Sequence, residues 1–523
     1  MKHKWLKRTL GMILVCKMCT FMLTGCAGNE GNNTNNNSGE VTIAVTSFAD
    51  TLEPTEQYFS WVITRYGVGE TLVKFDENGE LSHCLAESWE NSEDKKAWTF
   101  KIRKGVKFSN GDDMTPEMVK TSLERTFEMS ERAGEFFKPE SIEIDGQNLV
   151  IKTKDPVAVL PGSLADPLFL IVNTKADQSK FATEGPVCTG PYIVESFNPT
   201  DDCVVVKNKY YWGGEAPLDK VTLKCIDDQN TRSMSLKSEE VDIAYNLKTE
   251  NLVEFENDNN INIQKLNSLR STYAFMNQHG PLKDLKLRQA LIRGLDRKTY
   301  CDSLLEGGAR PGKAPVPPTL NFGFDELIDE NAYDLEGAKA ILAEAGYKDI
   351  NNDGFVETPN GDTLDLQFVI YTSREELNVY AQAAQASLKD IGIKVTLKTV
   401  SYETLLDMRD SGEYDMLIWN VLVANTGDPE KYLRENWYST SASNTTGYSN
   451  SDVDKLLDEL NKENDESKRK DLIVQIQQLI MNDAATVFFG YETTYLFSSK
   501  RLTGVKMYPM DYYWLTKDIA LAE

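Results

Sequence analysis

Asp349, Asn351 and Asp353 have the spacing of a metal site, because their side-chain oxygens match positions 1, 3 and 5 of a calcium-binding loop. Gly354 supplies the glycine expected at position 6. Position 12 is Asn360, so the bidentate glutamate of such loops is missing. The alternative is a polar turn in which Asn and Asp side chains bond their own backbone. The residues leave a weak structural calcium site and a plain turn both open.

Histidine-based catalysis has little support, because His83 and His279 are the only histidines after the first 25 residues. A histidine triad or a cage of several histidines around a metal is therefore nearly excluded. The sequence also lacks a Gly-x-Ser-x-Gly elbow, a His-Glu-x-x-His helix and a phosphate-binding loop. Both histidines are predicted to be ordinary surface or packing residues, and the chain is predicted to be no enzyme and to need no cofactor.

Aromatic side chains close to an arginine indicate a site for a small ligand. Tyr58 and Trp61 precede Arg65 near the first predicted strand, and Trp419 ends a predicted buried strand before a loop that contains glycine. Tryptophan and tyrosine offer broad apolar faces with one polar group, which suits a ligand held in a cleft. The alternative is that each of these aromatic residues packs in a core.

The elements that must position these residues are strands and helices mixed without a strict repeat. Thr115 and Pro116 predict the start of a helix, with the hydroxyl as its cap and proline in its first turn. Asp334 is expected to cap a second helix, which Gly346 ends in the left-handed conformation. Periodicity and turn residues predict strands at 41–45, 98–103, 364–371, 393–400, 414–419 and 486–491, a hairpin at 140–153, and helices at 335–345, 375–391, 402–411, 451–462 and 467–484.

Residues 1–25 are typical of a secretory signal, with a basic start and then a mostly apolar run. This run is shorter than the roughly 20 residues that a spanning helix needs, and Lys17 interrupts it, which argues against a transmembrane anchor. Residues 23–26 read Leu-Thr-Gly-Cys and resemble the lipobox of bacterial lipoproteins. That resemblance implies cleavage before Cys26 and diacylation of its thiol, and two acyl chains anchor a protein stably. Residues 26–40 are rich in Asn and are predicted to form a flexible tether.

The composition indicates an acidic globular body of two or three lobes. The chain has 523 residues and a formal net charge of −25, and the basic signal segment makes the remainder more acidic still. Nucleic acid is an unlikely partner on this ground, because phosphate binding requires a basic face. An acidic body is also repelled by anionic lipid, so a covalent anchor is the expected contact with the membrane.

The cysteines beyond Cys26 match no compact disulfide framework and no zinc ribbon. They are odd in number and widely spaced, at Cys84, Cys188, Cys203, Cys225 and Cys301. We predict that they are mainly buried, small apolar residues. Pairing of Cys188 with Cys203 or Cys225 stays open for an oxidising compartment.

A series of short words, in a fixed order over nearly the whole body, resembles the extracytoplasmic solute-binding proteins of ABC importers, specifically the peptide/nickel class known as solute-binding protein family 5. The words are Leu85-Ala86-Glu87-Ser88-Trp89, Trp98-Thr99-Phe100, Val106-Lys107-Phe108-Ser109-Asn110-Gly111, Thr189-Gly190-Pro191-Tyr192, Tyr211-Trp212-Gly213-Gly214, Arg288-Gln289-Ala290-Leu291 with Asp296-Arg297, Ala338-Lys339 with Ala345-Gly346-Tyr347, and Gly427-Asp428-Pro429.

The resemblance implies an α/β protein with the two-lobe, type II periplasmic-binding-protein fold, a hinge, and a subdomain inserted in the first lobe. Ligand is expected between the lobes, which close over it and present the closed face to a membrane permease. The predicted limits are 41–75, 190–270 and 485–523 for lobe I, 76–189 for the inserted subdomain, and 271–484 for lobe II.

The resemblance transfers neither specialised pocket of the class intact. Many peptide binders have an aspartate three residues before the Asp-Pro pair, and Asn425 stands there. Nickel-chelate binders have an arginine before a proline in the inserted subdomain, and Asp166 stands there. Their tryptophan and tyrosine ahead of Asp-Pro correspond to Val423 and Gly427. Arg374 is a candidate partner for a ligand carboxylate through its bidentate fork, and a surface arginine is the alternative.

The sequence thus predicts a monomeric, extracytoplasmic solute receptor, lipid-anchored to the bacterial cell membrane and working with an ABC permease. Its expected ligands are short peptides or peptide-like solutes, and nickel or another metal in an organic chelate is the alternative. An extracellular hydrolase and a sensory lipoprotein are alternatives from other classes. The candidate ligand-binding residues are Tyr58, Trp61, Arg65, Arg374, Trp419, Asn425 and Asp428.

Overall fold

The computed structural model describes residues 39–45, 49–199, 201–247, 249–371 and 374–522. The predicted signal segment, Cys26 and nearly all of the predicted tether lie outside these ranges. Within them, no helix has both the length and the apolar character needed to cross a bilayer.

The strands are short except for two that exceed twelve residues. They are β1 (Glu40–Val45), β2 (Val73–Phe75), β3 (Leu81–His83), β4 (Ala86–Asn91), β5 (Ala97–Ile102), β6 (Pro139–Asp145), β7 (Asn148–Thr153), β8 (Tyr192–Asn198), β9 (Asp202–Lys207), β10 (Lys220–Cys225), β11 (Ile243–Leu247), β12 (Ile261–Met276), β13 (Ala309–Pro311), β14 (Asp365–Tyr371), β15 (Lys394–Val400), β16 (Met416–Leu422), β17 (Thr486–Ser499), β18 (Leu502–Thr503) and β19 (Ala520–Leu521).

The helices lie mostly in the second half of the chain. They are α1 (Phe59–Arg65), α2 (Pro116–Met129), α3 (Ala133–Phe136), α4 (Leu160–Ser163), α5 (Phe181–Glu184), α6 (Gln229–Lys237), α7 (Leu252–Phe255), α8 (Leu285–Arg293), α9 (Arg297–Thr299), α10 (Leu335–Glu344), α11 (Glu375–Asp390), α12 (Tyr402–Ser411), α13 (Glu430–Trp437), α14 (Ser451–Leu460) and α15 (Glu466–Asn482). Single turns of 3₁₀ helix lie at 167–169, 178–180, 249–251, 281–283 and 324–326, and a π-helical turn at 300–304.

Two lobes share one mixed sheet. In the described part of the chain its strand order is β15-β14-β16-β12-β17-β11-β1-β10-β9-β8, and β13 pairs with β17. The long strands β12 and β17 pair with each other and run through both lobes. Their register shifts between Asn267 and Ser271 and again at Thr272 to Tyr273, close to the predicted limit of lobe I at residue 270.

Separate hydrophobic cores support this division. One large cluster surrounds β14, β16 and α11 in the second lobe, and another surrounds β1, β9 and β10 in the first. A third cluster lies under a small antiparallel sheet with the order β4-β5-β7-β6, whose residues fall within the predicted inserted subdomain. The fold is therefore the predicted two-lobe type II fold, while the exact limits of the lobes stay a prediction.

Local sequence signals fixed many of these elements correctly. The Thr115 hydroxyl accepts from the Met118 amide at 3.3 Å, and the Asp334 carboxylate accepts from the Gly337 amide at 2.9 Å, so both predicted caps are confirmed. Gly346 has φ +89°, as predicted for the end of that helix. The predicted strand at 486–491 is too short, because β17 continues to Ser499 to pair with β11.

Candidate functional site

A cavity of about 1970 Å³ lies between the lobes, around the region where the paired strands β12 and β17 pass from one lobe to the other. The first lobe contributes α1 and the segment 507–514, and the second contributes α12, β16 and the start of α11. Six of the seven predicted ligand residues line it. They are Tyr58, Trp61, Arg65, Arg374, Trp419 and Asn425. Their contacts with a ligand stay a prediction.

Arg65 forms part of the wall on the first lobe, and its charge is already matched. Its Nη2 lies 2.6 Å from a carboxylate oxygen of Asp511, and its Nε donates to the Asp511 carbonyl at 2.9 Å. The guanidinium lies 4.4 Å from the ring centroid of Trp514. Trp61 packs edge-on against Tyr512 with 4.9 Å between ring centroids. These contacts hold Arg65 and Trp61 against the segment 511–514.

Arg270 lies on the floor of the cavity, in the irregular stretch of β12, and is a residue that sequence reasoning missed. It donates to Asn420 Oδ1 at 3.2 Å. Among the described residues, no carboxylate lies within 4.0 Å of its guanidinium. Burial lowers its pKa, and the nearby charge of Arg374 lowers it further, but an arginine stays protonated in proteins. Arg270 is therefore a half-buried cation without an ion-pair partner.

Arg374 lies beside Arg270 but is paired. Its Nη1 is 3.2 Å from Glu376 and 3.5 Å from Glu492. Burial alone would lower the pKa of Arg374, yet the two carboxylates reverse this effect and raise it. Burial, followed by the charge of Glu492, raises the pKa of Glu376. Glu492 also accepts hydrogen bonds from Thr272 and Asn420, so one carboxylate ties three strands together at the cavity floor.

Aromatic rings form a shelf on the second lobe. The ring centroid of Trp419 lies 6.1 Å from that of Tyr402 and 6.2 Å from that of Phe275. The Arg409 guanidinium lies 5.2 Å from the Trp419 ring centroid. Tyr402 is 44% exposed, so it offers a free face to the cavity that it lines. A flat ligand group can stack on such a shelf.

Asp428, the seventh predicted residue, is absent from the cavity wall. Its Oδ2 accepts from Arg469 Nε at 2.9 Å, and its Oδ1 accepts from the Glu430 amide at 2.8 Å. Arg469 is also 2.9 Å from the carboxylate of Glu430. The Asp-Pro word of the family thus has a structural use here, which was not anticipated from the sequence.

Asp166 occupies the position at which chelate binders have an arginine. It is fully buried, and its Oδ1 accepts from the Leu168 amide at 2.9 Å. Burial raises its pKa. Tyr512 donates to its other oxygen at 3.3 Å.

Residues of two family motifs, 189–192 and 211–214, stabilise the first lobe and do not line the cavity. Glu70 is the centre of this arrangement, because Thr189 and Trp212 each donate to it at 2.8 Å and Tyr211 donates at 3.1 Å. Burial raises the pKa of Glu70. A side chain at Gly190 would lie 2.4 Å from the Gly67 carbonyl oxygen, so only glycine fits there. Glu70 itself carried no signal in the sequence.

The other titratable candidates lie outside the cavity. His83 packs edge-on against Trp89 at 5.0 Å, and His279 lies against Gly447. Four of the five described cysteines are buried as predicted, Cys225 is half-buried, and all five are unpaired. The described residues contain no group of three or more His, Cys, Asp or Glu side chains placed to hold a metal.

The loop at 349–357 shows the bonds of a polar turn. Asp349 Oδ2 accepts from the Gly354 amide at 2.9 Å, and Asn351 Oδ1 accepts from the Asp353 amide at 2.8 Å. Asp353 Oδ1 accepts from the Phe355 amide at 2.9 Å. The oxygens that would bind calcium thus already accept from backbone amides, and a weak calcium site at this loop stays an untested alternative to the plain turn.

Known proteins resemble this chain over nearly all of its length. The nickel-binding protein NikA of Staphylococcus aureus is 25% identical over 87% of this chain and 89% of its own. The probable D,D-dipeptide-binding periplasmic protein DdpA of Escherichia coli is 27% identical over 86% of this chain and 87% of its own. The crystal structure of a nickel ABC transporter protein from Bacillus halodurans has a TM-score of 0.76 and 29% identity, and covers 92% of this chain and 99% of its own.

The family model for the bacterial extracellular solute-binding proteins, family 5, matches residues 80–444. That range includes the inserted sheet, much of the cavity floor and the aromatic shelf. Together with the two lobes and the cavity between them, this match settles the class. The chain belongs to the family 5 solute-binding proteins, the extracytoplasmic solute-binding components of ABC transporters.

Proposed function

We propose that the chain captures a small carboxylate-bearing solute, with short peptides as the first class, and that the carboxylate binds Arg270. The observation that carries this proposal is the unpaired guanidinium on the cavity floor. A half-buried charge is costly unless it is paired, and a ligand carboxylate supplies the missing partner through two parallel hydrogen bonds. The neighbouring Arg374 is paired with Glu376 and Glu492, so its guanidinium is less available than that of Arg270 to a ligand carboxylate.

Closure of the two lobes can signal to a permease that the cavity holds a solute. A solute that contacts both walls binds the closed arrangement more strongly and shifts the population toward it. Arg65 and Trp61 lie on one wall, and Trp419 lies on the other. The closed face would then be recognised by the permease of an ABC importer, and no covalent bond is made or broken in this protein.

The proposed location is the outer side of the cell membrane. The lipobox at residues 23–26 supports an anchor at Cys26, and the Asn-rich segment that follows supports a flexible tether. We propose that the protein acts as a monomer held near its permease by this anchor.

A metal in an organic chelate is the second candidate ligand. Nickel is named for the relatives from Staphylococcus aureus and Bacillus halodurans. Among the described residues that line the cavity there is no histidine or cysteine, so the organic part of a chelate would make most of the contacts. Carboxylates of a chelating amino acid suit Arg270, and a flat chelate suits the shelf formed by Trp419 and Tyr402.

Native mass spectrometry of the purified protein, followed by calorimetry, tests this proposal. A co-purified peptide mass supports the first candidate, and a metal-containing mass supports the second. Calorimetry with dialanine and with nickel(II)-bis(L-histidine) then measures affinity directly.

Arg270→Gln is expected to weaken binding of the preferred probe by about 30-fold, because a charge-assisted pair is lost. Arg310→Gln is the matched control, since Arg310 is exposed and does not line the cavity. Equal affinities of Arg270→Gln and the parent protein would refute a role for Arg270 in binding.

A further inference from the structure

The loop at residues 423–429, which we call the Asn425 loop, connects the ligand cavity to a buried ion-pair cluster. Asn425 lines the cavity, and Asp428 follows three residues later without reaching it. Between them the Gly427 amide donates to the Ala424 carbonyl at 2.9 Å, which makes a tight turn. The Thr426 hydroxyl donates to the Asp428 carbonyl at 3.0 Å. These two bonds join Gly427 and Asp428 to Ala424 and Thr426, the residues on either side of Asn425.

Arg469 holds the loop from the second lobe. Its side chain is 7% exposed and lies 2.9 Å from the carboxylates of both Asp428 and Glu430. Its Nη1 also donates to the Leu460 and Glu463 carbonyls at 2.7 Å. A guanidinium with this many fixed acceptors has little freedom to move.

Helix α4 and residues of the first lobe hold the same loop from the other side. A side chain at Gly162 would lie 2.0 Å from the Thr426 carbonyl oxygen, which shows how closely α4 approaches the loop. Gly427 has φ +77°, and a side chain there would lie 2.8 Å from the ring of Phe75. The Tyr512 hydroxyl lies 3.3 Å from the Asn425 carbonyl oxygen and shares its single proton between that oxygen and Asp166. The loop is thus clamped between two parts of the molecule.

We propose that Asp428 and Arg469 are positioning residues, which fix the Asn425 loop against the cavity and so set solute affinity without contacting the solute. This inference rests on the proposed function for its effect on affinity. It does not need that proposal for its effect on the loop itself. In this chain Asp428 of the Asp-Pro motif would thus act on the loop, and not by direct contact with the ligand.

Hydrogen exchange of the ligand-free protein tests the loop directly. Asp428→Asn keeps the side-chain shape but loses the charge, and exchange at the Gly427 amide is expected to rise by about tenfold. Arg469→Lys keeps the positive charge but loses the bidentate guanidinium, and it is also expected to raise exchange at the Gly427 amide. Asp329→Asn is the matched control, because Asp329 pairs with the equally buried Arg297 at 3.1 Å and neither residue lines the cavity. Unchanged exchange at Gly427 in both loop variants would overturn the inference.

A double-mutant cycle separates positioning from a general loss of stability. Calorimetry with dialanine and with nickel(II)-bis(L-histidine) is expected to show about tenfold weaker binding of the preferred probe for Asp428→Asn. In an Asn425→Ala background the same change should cost less than about twofold, because the group being positioned is gone. Two fully additive losses would contradict the inference. If the parent protein binds neither probe, the proposed ligand class fails, and hydrogen exchange alone decides the role of Asp428.

Discussion

At the scale of single residues, the electrostatic character of the cavity floor depends on which of its arginines are paired with a carboxylate. Arg65 and Arg374 have carboxylate partners, whereas Arg270 has only an amide oxygen among the described residues. In a chain with a net charge of −25, an unpaired cation in a cavity favours capture of an anion over other solutes. We propose that Arg270 confers this preference.

Arg374→Ala is expected to weaken binding of a carboxylate ligand by about tenfold, even though Arg374 is already paired. Its removal leaves Glu376 and Glu492 without their cation, so the cavity floor becomes negative. Calorimetry with dialanine measures the change, and added salt should reduce it. Unchanged affinity would remove Arg374 from the site.

Glu70→Gln is expected to alter the pH dependence of stability. Burial raises the pKa of Glu70 in the folded state above its usual value of 4.5, so the unfolded state releases this proton first. The stability of the parent protein relative to the variant should then be greatest below pH 4.5 and fall as pH rises through the folded pKa. Thermal melts of both proteins from pH 4 to pH 8 measure this difference. A constant difference across that range would contradict a raised pKa.

The sequence could identify local features but not this pairing pattern. The caps at Thr115 and Asp334 depend on residues three positions away and were predictable. The bond between Arg270 and Asn420 spans 150 residues, and the one between Asn420 and Glu492 spans 72. Only the order of strands in the sheet brings those residues together. For the same reason Asp428 resembled a ligand residue in the sequence, because its partner Arg469 lies 41 residues further along the chain, on α15.

At the scale of elements, close backbone approaches hold the first lobe together. The turn before β8 passes so near the segment after α1 that Gly190 has no room for a side chain. The hydrogen bonds of Glu70 with Thr189 and Trp212 cross the same junction. Two independent contacts thus fix β8 at the edge of the shared sheet.

Gly190→Ala is expected to destabilise the protein by about 1–3 kcal/mol, because the new methyl group overlaps two carbonyl oxygens. Those oxygens belong to Gly67 and Val68, at 2.4 and 2.5 Å from the methyl position. Gly134→Ala is the control, since its nearest contact is the end of a lysine side chain at 3.7 Å. Urea denaturation measures both variants, and similar midpoints for the two would show that the turn can relax.

At the scale of the whole molecule, binding and anchoring belong to different segments. Among the described residues, those that line the cavity all come after residue 56, whereas the predicted lipid site is Cys26. The family match begins at residue 80, after the predicted lipid site. Location and solute affinity should therefore vary independently.

Cys26→Ser is expected to release the protein from the membrane fraction without changing solute affinity. The hydroxyl of serine cannot replace the thiol as the acylated atom, and the cavity lies in a separate segment. Fractionation followed by calorimetry on the released protein measures both properties. Retention of the variant in the membrane fraction would contradict an anchor at Cys26.

The position of β17 has a consequence for how the chain folds. It is the last long strand to be synthesised, yet it lies in the middle of the sheet, between β11 and β12. Neither lobe has its full set of strands until residues 486–499 insert. Contacts of such large sequence separation make folding slow. A chain that lacks its final segment would thus lose both lobes together, and partial products of synthesis would expose strand edges until release.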